Sequence, residues 1–414
     1  MSDQLFGKDP DELTLIINNR EIIMESASLI KTMDTGADGF TAHIPWEPGK
    51  DSELDKITAP FSYSKAKIYL GNVLVSEQTL YNVTQRTNNS GTQKELEFAS
   101  KTADIIDSTV IPPYEANYIR LSDRCKQQCR PYGINVFIGE DAYNSMLTTI
   151  RVDTPTGKYS GTVVMKKFWY KSVTDKWCPQ IKIDAKVKSK YVTDEKVFPR
   201  VACKPTEKVF EHLSKLAMQR GLLLSNTASG DLLITKADMN SAPIGTIIED
   251  VSILGINETT GQADQFEAKF LGRDRFSQYQ AILKSAGKKK TKYKQSAFDK
   301  VVPTPRLLTF HAEDDVPGGA VFDAQWRRNK AAADAMTIDF PVNTWYGPDK
   351  KLWHPNTRLT IKSPTMGTAQ GFTYLISRVE FKYSKNGSIS NLQLKPPSVY
   401  DAQAEIIEPW LSGN

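Results

Sequence analysis

The side chains that could perform chemistry are few and widely separated in this sequence. Four histidines occur, each standing alone: His43, His212, His311 and His354. No HExxH motif, GxSxG elbow, GxxxxGK[ST] phosphate loop or GxGxxG turn is present. The carboxylates Glu313, Asp314 and Asp315 are adjacent, but they lie in a stretch rich in Gly and Pro that is typical of a loop. We therefore predict no catalytic, cofactor-binding or metal-binding residues, and a protein that is not an enzyme.

The cysteines favour buried thiols over a metal site. The chain of 414 residues has four, at positions 125, 129, 178 and 203, which is too few for a disulfide scaffold. Cys125 and Cys129 share one face of a predicted helix, yet no third ligand is nearby, and cysteine is often a small core residue. Without an apolar signal segment or a run of 18 apolar residues, the sequence predicts folding in a reducing cytosol and no membrane insertion.

A lysine-rich stretch, GKKKTKYKQ at 287–295, is the most conspicuous basic feature of a chain whose net charge is only +5. It could contact nucleic-acid phosphates. It has no apolar period, however, and so predicts an exposed loop. We favour solvent or an acidic partner surface over DNA, and expect any DNA contact to be transient. The candidate contact residues are Lys288, Lys289, Lys290, Lys292 and Lys294.

Residues 140–200 form a second basic segment, with twelve Lys or Arg against seven Asp or Glu. Phe168, Trp169, Tyr170 and Trp177 add aromatic mass. This composition would suit a module that binds a glycan or a nucleic acid. The alternating lysines of KIDAKVKSK are also typical of an edge strand that is protected from unwanted pairing, and we favour that interpretation.

Periodicity predicts an α+β protein that is mostly β. Alternating apolar residues and the turns Asn18-Asn19 and Gly71-Asn72 indicate a small barrel or sandwich over 10–108. Residues 109–139 and 201–254 each contain a helix followed by strand, and form an α/β middle region. The basic segment 140–200 is an inserted β-rich part. A second β domain covers 255–400, with a helix at 320–336, before a tail at 401–414.

The two helix-strand units are the clearest helical signals. In 117–137, Leu121, Cys125 and Cys129 fall on one face, and Pro131 ends the helix. In 206–234, apolar residues from Val209 to Ala217 share a face, with Thr206 as a plausible N-cap and Gly221 at the end.

The order of these units resembles the baseplate hub proteins of Mu-like contractile-tailed phages, a family related to the hub part of type VI secretion spike proteins. The matching stretches run in order: LTLIINNREI, KIYLGNVLVSEQTLYNVTQ, KVFEHLSKLAMQRGLLLSNTASGDLLIT, FLGRDRF, the arginine of PTPRLL, WRRNKAAADA, GPDKKLWHPNTRLTIKSP and YLISRVEFKYSKNGSISNLQLKPPSVY. Segment 140–200 departs from the family pattern. The structural motif positions are Gly221, Trp326, Trp353, Asn356 and Gly387.

The resemblance implies two tube-like antiparallel β-barrel domains that flank the middle region. It also implies a homotrimer whose six barrels adapt a sixfold tail tube to a trimeric central spike, with no cofactor. The implied partners are the spike, the tail tube or a tube-initiator protein, baseplate wedge proteins and possibly the tape measure protein. The implied location is the virion baseplate, assembled in the host cytoplasm, although a tailocin or secretion-type device would use the same hub.

Overall fold

The computed structural model describes residues 12–33, 35–88, 91–155, 187–250, 255–257, 266–283, 294–312, 317–385 and 387–400. Most of the regular structure is strand, so the prediction of a mostly β, α+β protein is confirmed. The strands are β1 (Leu13–Ile17), β2 (Arg20–Ile22), β3 (Ser26–Thr32), β4 (Gly39–Pro45), β5 (Lys65–Leu70), β6 (Val73–Asn88), β7 (Gly91–Ser100), β8 (Glu115–Arg120), β9 (Val136–Ile138), β10 (Leu147–Pro155), β11 (Val187–Glu195), β12 (Val197–Ala202), β13 (Leu223–Asn226), β14 (Leu232–Thr235), β15 (Thr246–Asp250), β16 (Gly255–Asn257), β17 (Glu267–Phe270), β18 (Gln278–Ile282), β19 (Lys294–Phe298), β20 (Leu307–His311), β21 (Met336–Val342), β22 (Arg358–Ser363), β23 (Thr368–Ser384) and β24 (Gly387–Lys395).

Six α-helices lie between these strands: α1 (Ser52–Ile57), α2 (Ala103–Asp107), α3 (Leu121–Cys129), α4 (Glu140–Met146), α5 (Val209–Met218) and α6 (Pro317–Asp334). Short 3-10 turns occupy Arg130–Tyr132, Gly272–Asp274 and Pro397–Tyr400. Within the described ranges, no helix has the length and apolar character needed to cross a membrane.

The two β regions share one large sheet. Strand β3 of the first region pairs antiparallel with the long strand β23 of the second, from Arg378 opposite Thr32 to Ser384 opposite Ser26. The described strands form no closed barrel, and fourteen of them belong to this sheet. The described strands therefore do not confirm two separate barrels.

One apolar core lies beneath this shared sheet. It combines Leu15 and Phe98 of the first region with Phe340 and Ile376 of the second, all almost fully buried. The alternation of buried and exposed residues in β4, β7, β21 and β24 places every second side chain in this core. The first and second β regions therefore depend on each other for burial.

The predicted turns of the first region are confirmed. Asn18 and Asn19 adopt φ of +48° and +69° between β1 and β2, and Gly71 adopts +55° between β5 and β6. These left-handed conformations suit two-residue hairpins, and Asn and Gly adopt them at low cost.

The two predicted helix-strand units pack together as a middle region. Strand β14 pairs in parallel with β9 and antiparallel with β13, while α3 and α5 cover this small sheet. Two boundaries differ from the prediction: residues before Leu121 form strand β8 rather than helix, and α5 is preceded by Lys208 as N-cap rather than Thr206. Strand β15 leaves this region and pairs with β22 in the large sheet.

Segment 140–200 begins with α4 and continues as a two-stranded ribbon of β10 and β11. Its last strand, β12, pairs with β8 of the middle region. The ribbon base is held at the start of α3, where Glu195 accepts hydrogen bonds from the Ser122 backbone N–H and hydroxyl at 3.0 and 2.5 Å. The four aromatic residues predicted to add mass here lie outside the described residues.

Strands β18, β19 and β20 form a separate three-stranded sheet that packs on α6. The lysine-rich stretch connects β18 to β19, which are consecutive antiparallel strands as expected. Among the described strands, neither of the two joins the large sheet. The predicted helix 320–336 exists and spans Pro317–Asp334.

Candidate assembly site

Three of the five motif positions meet where the middle region joins the second β region. The three residues come from distant parts of the chain. Trp326 shares a cluster with Ala237, after β14, and Asn356 bonds to the residues on either side of Ala237, while Gly221 lies against Phe322 of α6. We call the junction of these residues with Ala237 the α6 junction. Trp353 and Gly387 lie elsewhere.

Trp326 occupies the centre of the α6 junction and is 6% exposed. Its ring stacks on Phe322 at 6.2 Å between centroids. Its cluster contains residues that follow β3 and β14, residues of β13 and β23, and residues of the C-terminal 3-10 turn: Met33, Leu223, Ala237, Leu375, Val399 and Tyr400. Through the Trp326 side chain, helix α6 therefore shares one apolar cluster with both β regions and the middle region.

Gly221 ends α5 in the left-handed conformation, with φ of +68°. A Cβ at this position would lie 4.0 Å from Cζ of Phe322. The glycine thus serves helix termination, which the sequence predicted, and also lies against α6.

Asn356 links the same segment to the second β region from the other side. Its Oδ1 accepts a hydrogen bond from the Asp238 N–H at 2.8 Å, and its Nδ2 donates to the Lys236 carbonyl at 2.8 Å. Its own N–H donates to the Ile376 carbonyl at 2.8 Å. With φ of +65°, the backbone adopts a conformation that asparagine tolerates better than most residues.

Removing the Asn356 side chain is expected to weaken this junction. Asn356→Gly keeps the backbone conformation but removes two hydrogen bonds, so we expect a loss of about 1–3 kcal/mol in the free energy of unfolding. Asn356→Ala adds about 1 kcal/mol of backbone strain. Urea unfolding followed by circular dichroism measures both. Equal stability of the glycine variant and the wild type would contradict the role of the side chain.

The other two motif positions act within single loops. Trp353 is 2% exposed and lies in the large core, where its Nε1 donates to the Thr344 carbonyl at 3.1 Å. Gly387 opens β24 with φ of +120°, opposite Ser384 in the β23–β24 hairpin. Both positions shape loops rather than present a contact surface.

The basic candidates are described only in part. Lys294 is the first residue of β19 and is exposed, opposite Ile282. The other candidates lie outside the described residues: Lys288, Lys289, Lys290 and Lys292. The contact of this stretch with solvent or an acidic partner surface therefore remains a prediction.

Cys125 and Cys129 are core thiols. Both are fully buried in the middle region. Burial raises the pKa of Cys129 to about 12 and that of Cys125 well above its usual value, so both remain protonated. Among the described residues, no group of three or more His, Cys, Asp or Glu side chains could hold a metal ion.

Sequence reasoning missed a buried cation in the middle region. Arg124 is fully buried, and its guanidinium donates to the Pro113 carbonyl at 3.0 Å, Gln127 Oε1 at 2.8 Å and His212 Nε2 at 3.3 Å. Within the described ranges, no carboxylate lies within ion-pair distance of it. One sequence signal could have indicated a buried polar group here: His212 lies between the apolar positions Val209 and Leu213 of α5.

His212 should make the middle region sensitive to acid. Burial, and then the charge of Arg124, lower the pKa of His212 to about 4 from an ordinary 6.5. The folded state therefore favours the neutral imidazole, and its stabilising contribution is complete above pH 6.5 and lost as the pH falls towards 4. The loss should approach about 3 kcal/mol. His212→Gln, which retains an acceptor for Arg124, should lose less stability over this interval in urea unfolding, and an identical pH profile would contradict the assignment.

Two of the matching motifs in the second β region meet in space. Arg306, the arginine of PTPRLL, donates to the carbonyls of Gly272 and Arg273 in FLGRDRF, and its guanidinium lies 4.9 Å from the Phe276 ring centroid. Arg275 of the same motif forms a two-pronged ion pair with Asp299, at 2.8 and 2.9 Å. These contacts fix one end of the three-stranded sheet.

The fold is that of phage tail proteins. The 43 kDa tail protein of prophage MuSo2 from Shewanella oneidensis aligns over 94% of this chain and 100% of its own, with a TM-score of 0.68 and 18% identity. The tail protein from Neisseria meningitidis MC58 aligns over 95% and 98%, with a TM-score of 0.69 and 14% identity. A chain of the Francisella PdpA-VgrG complex aligns more distantly, over 94% of this chain and 58% of its own, with a TM-score of 0.51 and 9% identity.

In sequence, the chain is similar to baseplate hub proteins, which confirms the resemblance. Residues 167–236 match the family described as baseplate hub protein gp44-like, second domain. The baseplate hub protein gp44 of Escherichia phage Mu is 27% identical over 210 residues, which are 47% of this chain and 49% of that protein. The match therefore spans about half the length of the phage Mu protein. The family match also shows that similarity extends into residues 167–200, which are part of the segment that we predicted to depart from the family pattern.

Proposed function

We propose that this protein is the central hub of a contractile phage tail baseplate. In this role it is a structural virion protein, assembled in the host cytoplasm, and its mechanism is assembly by shape and charge complementarity. The similarity to the phage Mu hub supports the protein class. The geometry of the large sheet supports the way in which copies would associate.

The observation that carries the proposal is one continuous antiparallel path through both β regions. It runs in the order β17, β21, β24, β23, β3, β4, β7, β6, β5, β1 and β2. Within the described ranges, β2 pairs only with β1, and β17 only with β21. An exposed aliphatic side chain follows each edge strand, with Ile23 at 82% and Leu271 at 49%.

Two different edges at opposite ends of a sheet favour a head-to-tail association that closes into a ring. An exposed edge strand is also a template for pairing with another chain. Because the path has an odd number of antiparallel strands, its two edge strands point in the same direction. A cyclic arrangement would therefore bring β2 beside β17 of the next copy in parallel.

We propose that the ring is a homotrimer. Each copy would contribute two tube-like units, one from each β region, so that six units surround the axis. Such an object can meet a sixfold tail tube, or its initiator protein, on one side and a trimeric central spike on the other. The fold likeness to a chain of a VgrG complex supports a spike-associated role in general.

Peripheral partners would bind outside this ring. The ribbon of β10 and β11 is the proposed contact for baseplate wedge proteins, because within the described ranges its strands pair only with each other and its base is hydrogen-bonded to α3. The tape measure protein is a further candidate partner along the axis. The proposed role needs no cofactor and no catalytic group.

Native mass spectrometry of the purified protein at micromolar concentration tests the trimer. The expected species has three times the 46.4 kDa mass of the chain. A population that consists only of monomers would overturn the homotrimer.

A further inference from the structure

Within the described ranges, the three-stranded sheet of β18, β19 and β20 has one face covered by α6 and one face that is exposed. Its inner face packs Ala281 and Ala297 against Ala320 and Ala324 of α6. Burial alternates along β18. The residues of β18 on either side of the buried Tyr279 and Ala281 therefore point to the outer face of the sheet. In the part of the chain that the structure describes, the residues of β19 and β20 on this outer side are mostly exposed.

This outer face carries an apolar patch at one end. Gln278 of the central strand β18 pairs with Phe298 of β19 on one side and with Leu307 of β20 on the other. Phe298 is 59% exposed and Leu307 is 56% exposed. Val301, in the connection between them, is 43% exposed. Exposed apolar side chains grouped in this way are typical of an interaction surface.

The sequence that carries the patch is basic. Residues 266–312 contain eleven Lys or Arg and only three Asp or Glu. The first β region has the opposite balance, with nine Lys or Arg and fourteen Asp or Glu over 12–107. Opposite charge on two different parts of the same chain favours contact between copies, and it does so in a head-to-tail manner.

The first β region also presents an aromatic side chain that has no role in its own core. Phe61, in the loop after α1, is 81% exposed and has φ of +62°. Tyr63 has φ of +48°, and its ring packs on Tyr81 at 6.1 Å. A bulky residue rarely adopts this backbone conformation, so the loop holds Phe61 outwards at some cost in strain.

We infer that the outer face of β18–β20 is covered by the first β region of a neighbouring copy, with Phe61 inserted among Phe298, Val301 and Leu307. This interface rests on the proposed homotrimer and names the surfaces that build it. Each copy uses both surfaces, one towards each neighbour. The apolar contact contributes affinity, and the opposite charges favour the correct orientation.

Two variants separate the two surfaces. Phe61→Ser alters only the inserting loop, and the pair Phe298→Ser and Leu307→Ser alters only the receiving face. All three residues are exposed, so the fold of each copy should persist, which circular dichroism checks. Tyr143→Ser, at a 49% exposed aromatic residue on α4, is the matched control.

Sedimentation over a range of concentrations should show the wild type and the Tyr143→Ser control as trimers. Each interface variant should weaken the trimer, so that the concentration below which it dissociates rises about tenfold or more. A mixture of the two variants should form dimers that contain one copy of each, because one intact pair of surfaces remains between them. Neither variant alone should form this species.

Four outcomes would overturn the inference. A monomeric wild type would remove the homotrimer and this interface together. A trimeric wild type with unaffected variants, or variants whose mixture gives no mixed dimer, would remove the interface alone. Loss of the trimer on deletion of residues 401–414, with Phe61→Ser unaffected, would show that trimer formation depends on the C-terminal segment and not on the Phe61 contact.

Discussion

Replacing Trp326 with alanine is expected to lower the free energy of unfolding by about 3–5 kcal/mol. The side chain is 6% exposed and packs against residues of both β regions, the middle region and the C-terminal 3-10 turn. Its removal would leave a cavity that these elements cannot easily close, because each is held by its own sheet or helix. The effect should therefore extend beyond α6.

Hydrogen exchange locates this effect. In Trp326→Ala, the segments 232–239 and 397–400 should exchange faster, while β4 and β7 in the large core should keep their protection. Val321→Ala, at a position on the same helix that is 36% exposed, is the control and should change little. Unchanged exchange at both segments would show that Trp326 does not join these regions.

The second large effect concerns the Arg275–Asp299 pair. The side chains are only 10% and 2% exposed, and Asp299 Oδ1 also accepts a hydrogen bond from the Val301 N–H at 3.1 Å. Arg275→Ala would leave a buried carboxylate without its cation, at an expected cost of about 3–5 kcal/mol. The three-stranded sheet should open first, because the pair fixes one of its ends.

The double variant Arg275→Met and Asp299→Leu distinguishes a lost pair from an isolated charge. Replacing both partners with apolar residues should restore much of the stability, because no charge is then buried alone. Arg200→Ala is the matched control, since its pair with Glu115 is 65% and 61% exposed and should contribute less than about 1 kcal/mol. Urea unfolding measures all three, and equal losses for Arg275→Ala and Arg200→Ala would contradict the argument.

Much of the local structure follows from short-range signals in the sequence. Asn18-Asn19 and Gly71 predict hairpins because few other residues tolerate φ above zero. Gly221 predicts the end of α5 for the same reason. The apolar spacing of Leu121, Cys125 and Cys129 predicts the buried face of α3.

The long-range pairings do not follow from such signals. Strand alternation shows which face of β3 or β23 is buried, but not which strand lies beside it. Ser28 donates a hydrogen bond to Glu380, which is 352 positions away in the sequence, and neither residue type predicts the other as its partner. The shared sheet could not be predicted for this reason.

The α6 junction shows the same limit. Trp326 and Asn356 were singled out by resemblance, but nothing in their spacing indicated that they would meet around Ala237. Arg124 was missed because a charged residue on a short helix is usually exposed. Its burial depends on acceptors from Pro113 and His212, which only the fold brings together.

Electron micrographs of the purified protein, averaged in the view along its axis, test the central claim most directly. The proposal predicts a threefold ring with six peripheral lobes, one for each β region of three copies. A particle without threefold symmetry, or a ring with only three lobes, would contradict the role of this chain as an adaptor between threefold and sixfold parts of a phage tail.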